Sequence, residues 1–243
     1  MDTLLESIRE VYQATPWLEN LPDQWELLKE AGTPIECKKD TIIFEQDDEA
    51  EHLYLIASGR VCLYATTPAG EEKALAFIGK NGLIGEYDSL GNLPHATSAI
   101  TVSKTVLYKI STGRFRELLK QNFHLVEQLL HFESRKYRML CAQSLQLSYR
   151  KAPHRICATL IQLALNYGTP LEQDSIQIAT TFTHQEMANL VGTTRITVIN
   201  TLKWLERHHI LEKQNKYYVI TDLPRLESLV QDETWKLTKH AEG

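Results

Sequence analysis

Apolar residues recur along the chain at different spacings, and each spacing predicts a different kind of element. Between Cys37 and Ile110, short runs rich in Ile, Leu, Val, Tyr and Phe are separated by Gly, Pro and Asn at near-regular intervals. Many short apolar runs with turn residues between them are typical of an all-β sandwich or barrel. The predicted strands lie at 41–44, 53–56, 60–65, 73–78 and 105–110.

Helical spacing precedes this β region. The first 31 residues carry apolar side chains three or four positions apart, interrupted by Pro16 and Pro22, and this pattern predicts short helices. The apolar residues concerned are Leu4, Leu5, Ile8, Val11, Trp25, Leu27 and Leu28.

After Ser111 the apolar residues follow the spacing of a coiled-coil seam. The steps alternate between four and three residues, which places one stripe along a long helix and predicts a parallel homodimer. The alternative is that the stripe packs on the β domain of its own chain. Pro153 then breaks the helix and begins a second domain. The predicted seam consists of Val126, Leu130, Glu133, Tyr137, Leu140, Ser144 and Leu147.

Two short helices are predicted between residues 183 and 207. Thr183 and Glu186 have the spacing of a capping box, which starts a first helix at 184 that ends at about 191. Gly192 can close that helix in a left-handed conformation, and Thr194 can cap the next one. Two helices joined by such a turn form a helix-turn-helix unit, whose second helix can enter the major groove of DNA. Its buried face is predicted to contain Val198, Leu202 and Leu205.

The segment 213–222 follows directly and predicts a β-hairpin around a Gln-Asn turn. Such a hairpin would form a wing that brings Lys213 and Lys216 beside the phosphate backbone. The alternative is that these lysines are a solvated hairpin tip.

Charge becomes informative only when it is divided along the chain. The net charge is −5, which gives no indication of a nucleic-acid partner. Residues 1–149 hold 15 Lys and Arg against 21 Asp and Glu, whereas residues 150–222 hold 8 against 6. The positive excess therefore lies around the predicted helix-turn-helix, where it can face phosphates.

Candidate chemistry for catalysis or metal binding is sparse. The four cysteines lack the close spacing of zinc or iron-sulfur sites, and the histidines His52, His95 and His124 have no clustered partners. We therefore expect no catalytic residue, no metal ligand and no enzyme. A ligand-binding module that does not touch DNA would have no need of the capped helix pair. The cysteines are Cys37, Cys62, Cys141 and Cys157.

A membrane protein is not expected. No apolar run approaches the roughly 20 residues needed to cross a bilayer, and the acidic, amphipathic start of the chain is unlike a secretory signal. These features predict a cytoplasmic protein.

Taken in order, the segments resemble the CRP-FNR family of bacterial transcription regulators over residues 20–222. The resemblance implies an α+β fold with an N-terminal β-roll (jelly-roll) sensor domain, residues 1–112, and a dimerisation helix with linker, residues 113–150. A winged helix-turn-helix domain with a C-terminal helix follows over 151–243. The implied partners are double-stranded DNA, a small-molecule effector, a second copy of the chain and RNA polymerase. The resemblance is carried by 55-LIASGRVCLY-64, Gly70, 82-GLIGEYDSLG-91, 154-HRICATLIQLA-164 and 183-THQEMANLVGTTRITVINTLKWLE-206.

The resemblance also assigns DNA contacts to positions in the helix-turn-helix. The positions that touch phosphates in the family are occupied by Thr183, His184, Gln185, Thr194 and Thr197. The base-reading positions are occupied by Arg195, Ile196 and Asn200.

Two of the base-reading residues depart from the family pattern. The family often has Glu where Ile196 stands and Arg where Asn200 stands. Ile196 can pack on a thymine methyl group and Asn200 suits adenine, whereas Arg195 can contact guanine or a phosphate. The predicted half-site is therefore richer in A and T.

The sensor domain departs as well. The Gly-Glu pair that grips ribose in cyclic-nucleotide binders is present as Gly85-Glu86, but no arginine stands where the family pairs with the cyclic phosphate, near Thr97. Without that bidentate partner we do not expect cyclic AMP to bind. Glu86 is either a ligand contact or a structural carboxylate bound to turn amides.

Two further features of the sensor concern the kind of ligand. His95 is expected to be an exposed loop histidine, with a phosphate partner or a haem ligand as alternatives. The positions that close the pocket in the family are Leu140 and Cys141, one turn after Tyr137, and their character indicates a largely apolar ligand, unless Tyr137 and Leu140 are simply seam residues. The stretch 82–99 is also similar to regulators of reductive dehalogenation.

Overall fold

The computed structural model describes residues 15–19, 21–22, 25–172, 174–232, 234–235 and 237. Leu4, Leu5, Ile8 and Val11 of the predicted N-terminal helices therefore lie outside the described residues. The chain divides into two compact units, one formed by residues 16–138 and one that includes residues 139 onward. Within the described ranges, no helix has the length and apolar character needed to span a membrane.

The first unit is built on two β-sheets, as the β-roll prediction requires. One has the strand order β1-β6-β5-β8-β3 and the other β2-β9-β4-β7. All pairs are antiparallel except β1 with β6. Each of the five predicted strands is present, and four more were not predicted. The strands are β1 (Trp17–Leu18), β2 (Thr33–Cys37), β3 (Ile42–Phe44), β4 (His52–Ser58), β5 (Val61–Thr66), β6 (Glu72–Ile78), β7 (Leu83–Ile84), β8 (Ser98–Thr101) and β9 (Thr105–Ser111).

The helical region after Ser111 differs from the prediction in one respect. It consists of two helices, α3 (Thr112–Gln121) and α4 (Phe123–Tyr149), and not of one. Asn122 breaks the helix because its backbone is extended, with φ −135° and ψ 93°, while its side-chain amide donates to the carbonyl of Leu118 at 3.1 Å. The break lies before the predicted seam, which is contained in α4. Two shorter helices, α1 (Glu26–Ala31) and α2 (Glu86–Gly91), complete the unit.

The start of α4 packs on its own unit through a stripe different from the predicted seam. Leu125, Leu129 and Phe132 are buried and lie four and three residues apart. The Phe132 ring meets the indole of Trp25 edge to face, with centroids 6.2 Å apart. The residues of α4 that pack on the core of the first unit are therefore different from the apolar residues of the seam.

The second unit contains the predicted helix-turn-helix and hairpin. The predicted break at Pro153 is confirmed, since α4 ends at Tyr149 and the next helix begins at Ala152. One sheet has the order β10-β11-β13-β12. The elements are α5 (Ala152–Tyr167), β10 (Gly168–Pro170), β11 (Ile176–Ile178), α6 (His184–Val191), α7 (Arg195–Arg207), β12 (Leu211–Gln214), β13 (Tyr217–Ile220) and α8 (Leu223–Gln231).

Helix α5 is the centre of the second unit, and its single arginine, Arg155, closes the end of α6. Arg155 donates from Nε to the carbonyl of Val191 at 2.7 Å and from Nη2 to that of Gly192 at 2.8 Å. A third bond, from Nη1, reaches the carbonyl of Arg150 at 2.6 Å. The last carbonyl groups of a helix have no donors within the helix. The Arg155 guanidinium donates to two such carbonyl groups.

Replacing Arg155 with Met should destabilise the helix-turn-helix while leaving its sequence unchanged. Loss of charge-assisted bonds to the carbonyl groups of Val191 and Gly192 is expected to lower the free energy of unfolding by about 2–3 kcal/mol. Native-state hydrogen exchange of the α6 and α7 amides measures this directly. Lys203→Met, an exposed site on α7, is the matched control, and equal protection in the two variants would contradict the assignment.

Candidate nucleic-acid interface and effector site

The predicted capping box starts α6. The Thr183 hydroxyl accepts from the amide of Glu186 at 3.1 Å, and the Glu186 carboxylate accepts from the amide of Thr183 at 2.6 Å. The two bonds satisfy amides that have no partner in the first turn of the helix. Thr183 and Gln185 are exposed at this end, and Gln185 donates to the side chain of Asn189 at 2.6 Å.

The turn between the two helices follows the predicted scheme. Gly192 has φ 67° and ψ 59°, a left-handed conformation that favours glycine. Thr194 then caps α7, because its hydroxyl accepts from the amide of Thr197 at 3.2 Å. The hydroxyl groups of Thr194 and Thr197 also lie 2.9 Å apart. Both threonines therefore stabilise the first turn of α7, and this role does not depend on a contact with phosphate.

Helix α7 has one buried and one exposed face. The predicted core residues Val198, Leu202 and Leu205 are buried. Arg195 and Asn200 are exposed, and Ile196 is 69% exposed although its side chain is fully apolar. An apolar side chain held out in water at the start of a capped helix is suited to a thymine methyl group. Lys203, one turn beyond Asn200 on the same face, is also exposed and was not among the predicted contacts.

The wing is formed by β12 and β13, but its turn lies one residue later than predicted. Gln214 pairs with Tyr217, so the two-residue loop is Asn215-Lys216 and not Gln-Asn. Asn215 adopts φ 56°, the conformation that such a loop requires and that asparagine tolerates. Lys213 and Lys216 are both exposed.

His184 connects the start of α6 with the wing. Its Nε2 lies 3.0 Å from the hydroxyl oxygen of Tyr218 on β13. Burial lowers the pKa of His184, and the positive charges of Lys213 and Arg195 lower it further, against the opposing effect of Glu206. Burial also raises the pKa of Tyr218 to about 12, aided by Glu206. The histidine is therefore neutral at physiological pH and lies in a positive field.

In the first unit, Gly85 begins α2 in a conformation that only glycine adopts easily. Its φ is 78°, and a Cβ atom at this position would lie 3.1 Å from the carbonyl of His52 and 3.1 Å from the His95 ring. A larger residue would be strained in this backbone conformation and would crowd these two neighbours. The next residue, Glu86, is consequently held inside the unit and is fully buried.

Glu86 is paired with an ammonium group that the sequence did not indicate. Lys136 of α4 donates to the Glu86 carboxylate, and both groups are largely shielded from water. Burial alone would raise the pKa of Glu86, but Lys136, a hydrogen bond from Glu133 and its own amide together hold that pKa below the ordinary value. The carboxylate is thus ionised and bound to a side chain rather than to turn amides alone.

Glu133 completes this acidic cluster and departs from the predicted seam. It is half-buried and bonds to Glu86, so it faces α2 and not a partner helix. Burial raises its pKa to about 8, as do the charges of Glu86 and Asp88, while Lys136 acts in the opposite direction. Glu133 therefore carries a proton at neutral pH, which keeps a second negative charge away from Glu86.

The expectation that His95 is an exposed loop histidine is wrong. Its side chain is 3% exposed and stacks on the Phe44 ring with centroids 3.8 Å apart. Its Nδ1 lies 3.3 Å from the carboxylate of Asp88. Packing of the loop before β8 onto β3 buries the ring, which spacing along the sequence does not reveal. In the described part of the chain, no three His, Cys, Asp or Glu side chains gather as a metal site.

The remaining predicted effector residues lie in different places. Thr97 is half-buried just before β8. Tyr137 lies on the part of α4 that belongs to the first unit and is 70% exposed. Leu140 and Cys141 are exposed on the part of α4 that belongs to the second unit. Within the first unit the structure therefore gathers Gly85 and Glu86, together with Lys136 and Glu133.

Comparison with known proteins accounts for both units. Residues 34–122 match the cyclic nucleotide-binding domain family, and residues 154–229 match the Crp-like helix-turn-helix domain family. The cyclic AMP receptor protein of Thermus thermophilus is 30% identical over 169 residues, which cover 70% of this chain and 74% of that protein. The chain belongs to the CRP-FNR family. It is therefore a CRP-like transcription regulator that joins a cyclic nucleotide-binding-like domain to a helix-turn-helix.

Other members and structures agree with this placement. The CRP-like cAMP-activated global transcriptional regulator of Mycobacterium tuberculosis is 26% identical over 193 residues, covering 79% of this chain and 86% of the relative. A CooA mutant from Carboxydothermus hydrogenoformans has a TM-score of 0.75 at 21% identity, covering 87% of this chain and 93% of that one. A CprK mutant complexed with OCPA has a TM-score of 0.73 at 18% identity, covering 89% of this chain and 98% of that one. These two structures share the CRP-FNR fold with this chain.

The raised pKa of Glu133 predicts how the first unit responds to pH. A carboxyl group with a raised folded-state pKa stabilises fully below its ordinary pKa of 4.5, and this contribution is lost as pH rises through about 8. The melting temperature of the wild type should therefore fall between these limits. In Glu133→Gln, whose amide replaces the protonated carboxyl, the fall should be absent.

The measurement is thermal unfolding across that pH range, with Glu127→Gln as the control. Glu127 lies on the same helix but is exposed, with His124 3.7 Å away. Glu86, whose pKa is lowered, acts in a different window, because its contribution is lost only as pH falls below the ordinary range. Parallel profiles for wild type and Glu133→Gln would show that the carboxyl group is ionised in the folded protein.

Proposed function

We propose that the chain is a homodimeric, effector-responsive transcription regulator that binds a palindromic, A/T-rich promoter site. The observation that carries this proposal is the exposed face of α7, on which Arg195, Ile196 and Asn200 project from a doubly capped helix-turn-helix. Their side chains make no contribution to the buried face of α7. Their chemistry matches the edges of bases in the major groove.

The base contacts and phosphate contacts have different roles in this proposal. Ile196 packs on a thymine methyl group, Asn200 bonds to adenine, and Arg195 bonds to guanine or a phosphate. The phosphate contacts fix the register of the helix and carry no sequence information. They are assigned to Thr183, His184, Gln185, Thr194 and Thr197, together with the wing lysines Lys213 and Lys216.

Dimerisation is supported by the apolar residues that α4 leaves in water. Leu130 is 61% exposed and Tyr137, seven residues later, is 70% exposed, and Leu140 and Leu147 repeat the same interval. A row of exposed apolar residues at heptad spacing is typical of a helix that pairs with another helix. A parallel pair would present two copies of α7 to half-sites about one helical turn of DNA apart, roughly 34 Å.

The effector is proposed to be a small molecule other than cyclic AMP, held by the first unit. Glu86 already binds Lys136, and Glu133 and Asp88 add two more carboxyl groups nearby. An anionic phosphate would find the ammonium of this cluster, Lys136, already paired with Glu86, and would lack the arginine that pairs with it in the family. Gly85, Glu86, Thr97, Tyr137, Leu140 and Cys141 stay the predicted contacts. Gating requires that the ligand bind two states with different affinities.

The proposal also places the protein in the cytoplasm, where it would meet promoter DNA and RNA polymerase. It assigns the chain no catalytic role and no cofactor beyond the effector.

Arg195 provides the test of the DNA interface. Selection of binding sites from random DNA with the wild-type chain should return an A/T-rich palindrome. On that operator, Arg195→Ala should lose about 1–3 kcal/mol of binding free energy because a hydrogen-bonding side chain at the start of α7 is removed.

Fluorescence anisotropy at fixed ionic strength measures the affinity. Arg114→Ala is the control, since Arg114 is an exposed arginine on α3, paired only with Glu117 among the described residues. Wild-type affinity in Arg195→Ala would exclude the proposed role of α7.

The predicted dimer can be tested at Leu140. In Leu140→Asp a carboxylate would be buried in the seam of the paired helices, which is unfavourable without a partner charge. The variant should sediment as a monomer at micromolar concentration, where the wild type is expected to be a dimer. Leu145→Asp serves as the control because Leu145, although 63% exposed, lies outside the seam. A monomeric wild type, or a dimeric Leu140→Asp, would contradict the seam.

A further inference from the structure

Tyr218 joins the wing to the start of α6. Its ring is 5% exposed and stacks on Phe182, with centroids 5.3 Å apart and planes 17° from parallel. Its hydroxyl oxygen lies 3.0 Å from Nε2 of His184. The ammonium of Lys213, the residue paired with Tyr218 across the hairpin, lies 5.7 Å from the ring centroid. One side chain thus contacts the wing, the segment before α6 and α6 itself.

The outer part of the wing has little other support. The third strand, β11, pairs with β13 only at Val219 and Ile220, so the hairpin from Lys213 to Tyr218 extends beyond the sheet. An isolated two-stranded hairpin is marginally stable in water. The contacts of Tyr218 with Phe182 and His184 hold this part of the hairpin against the helix-turn-helix.

His184 also differs from the groups around it because it can change charge near neutral pH. The groups that face it are Lys213 from β12, Arg195 and Glu206 from α7, and Tyr218 from β13. In the free protein, burial and the two positive groups keep it neutral. A phosphate placed at the start of α6 would add negative charge beside it and favour the protonated ring.

We infer that His184 and Tyr218 form a positioning pair, which fixes the wing against the helix-turn-helix and makes operator binding take up a proton at His184. The inference rests on the proposed DNA-binding function. By linkage, binding that adds protons must become tighter as pH falls. The pair therefore sets both the placement of the wing lysines and the pH dependence of binding.

Tyr218→Phe tests the positioning. The phenyl ring keeps the contacts with Phe182 and Lys213 but loses the bond to His184. The dissociation constant for the operator should rise about 3- to 10-fold, and its dependence on salt should weaken by about one phosphate contact per protomer. Tyr217→Phe is the matched control, because Tyr217 is the neighbouring wing residue and lies under Lys216 instead, 5.2 Å from its ammonium. It should bind as the wild type does.

His184→Gln tests the proton. Glutamine can still bond to the Tyr218 hydroxyl but cannot titrate. Between about pH 8 and pH 6, the wild type should gain about 3- to 10-fold more operator affinity than this variant does. Calorimetry in two buffers of different ionisation enthalpy counts the protons directly, and the variant should take up about one fewer per protomer. When Tyr218→Phe and His184→Gln are combined, the loss of affinity should be smaller than the sum of the losses in the two single variants, because both residues act through one contact.

The outcomes separate the inference from the function on which it rests. Equal operator affinity and salt dependence in Tyr218→Phe, or an unchanged pH profile and proton count in His184→Gln, would overturn the pair while leaving DNA binding intact. If Tyr218→Phe unfolds the unit, the pH profile of His184→Gln decides by itself. A wild-type chain that binds no DNA would overturn both.

Discussion

The carbonyl groups at the end of α6 need donors, and a guanidinium on a different helix supplies them. Gly192 turns the chain in a left-handed conformation, and the amide of Thr193 returns to the carbonyl of Ala188 at 3.0 Å. The carbonyl groups of Val191 and Gly192 remain, and Arg155 of α5 takes both. This interaction fixes the direction in which α7 leaves the turn. Since β12 follows α7 directly, the position of the wing depends on it as well.

In the first unit, a side chain of one helix likewise holds another helix, but here the contact is between charged side chains. Three carboxyl groups, Glu86, Asp88 and Glu133, gather where α2 meets α4, and Lys136 supplies the positive charge. If Glu133 were ionised as well as Glu86, these two like charges would share the one ammonium in a place shielded from water, which is costly. A proton on Glu133 removes one of the negative charges. The packing of α4 on α2 is therefore coupled to protonation.

The parts of the fold that could be predicted depend on short stretches of sequence. The helix-turn-helix follows from local signals, because a capping box, a left-handed glycine and a second cap each act over four residues or fewer. Five strands follow from apolar runs between turn residues. The exposed residues of α7 follow from helical spacing once the buried face is known. These predictions were confirmed because the interactions that determine them lie close together along the chain.

The features that were missed depend on contacts between distant segments. Lys136 and Glu86 are 50 residues apart, and a Glu133/Lys136 pair on one helix has the appearance of an exposed ion pair. His95, in the loop before β8, is buried because Phe44 of β3 covers it. The contact between His184 and Tyr218 joins residues 34 apart. Of these residues only His95 was expected to be exposed, and in each case the contact is set by tertiary packing that spacing along the sequence does not reveal.

The buried and exposed faces of α7 have separate roles, and this separation has a consequence for how such proteins evolve. Val198, Leu202 and Leu205 hold the helix in the core, while Ile196 and Asn200 lie on its exposed face. Mutations at the latter positions can therefore accumulate with little penalty to folding, since exposed substitutions rarely change stability by much. A duplicated gene could acquire a new set of target promoters through one or two such changes. Its sensor domain could diverge separately. Both the target promoters and the effector could therefore change through variants that all still fold.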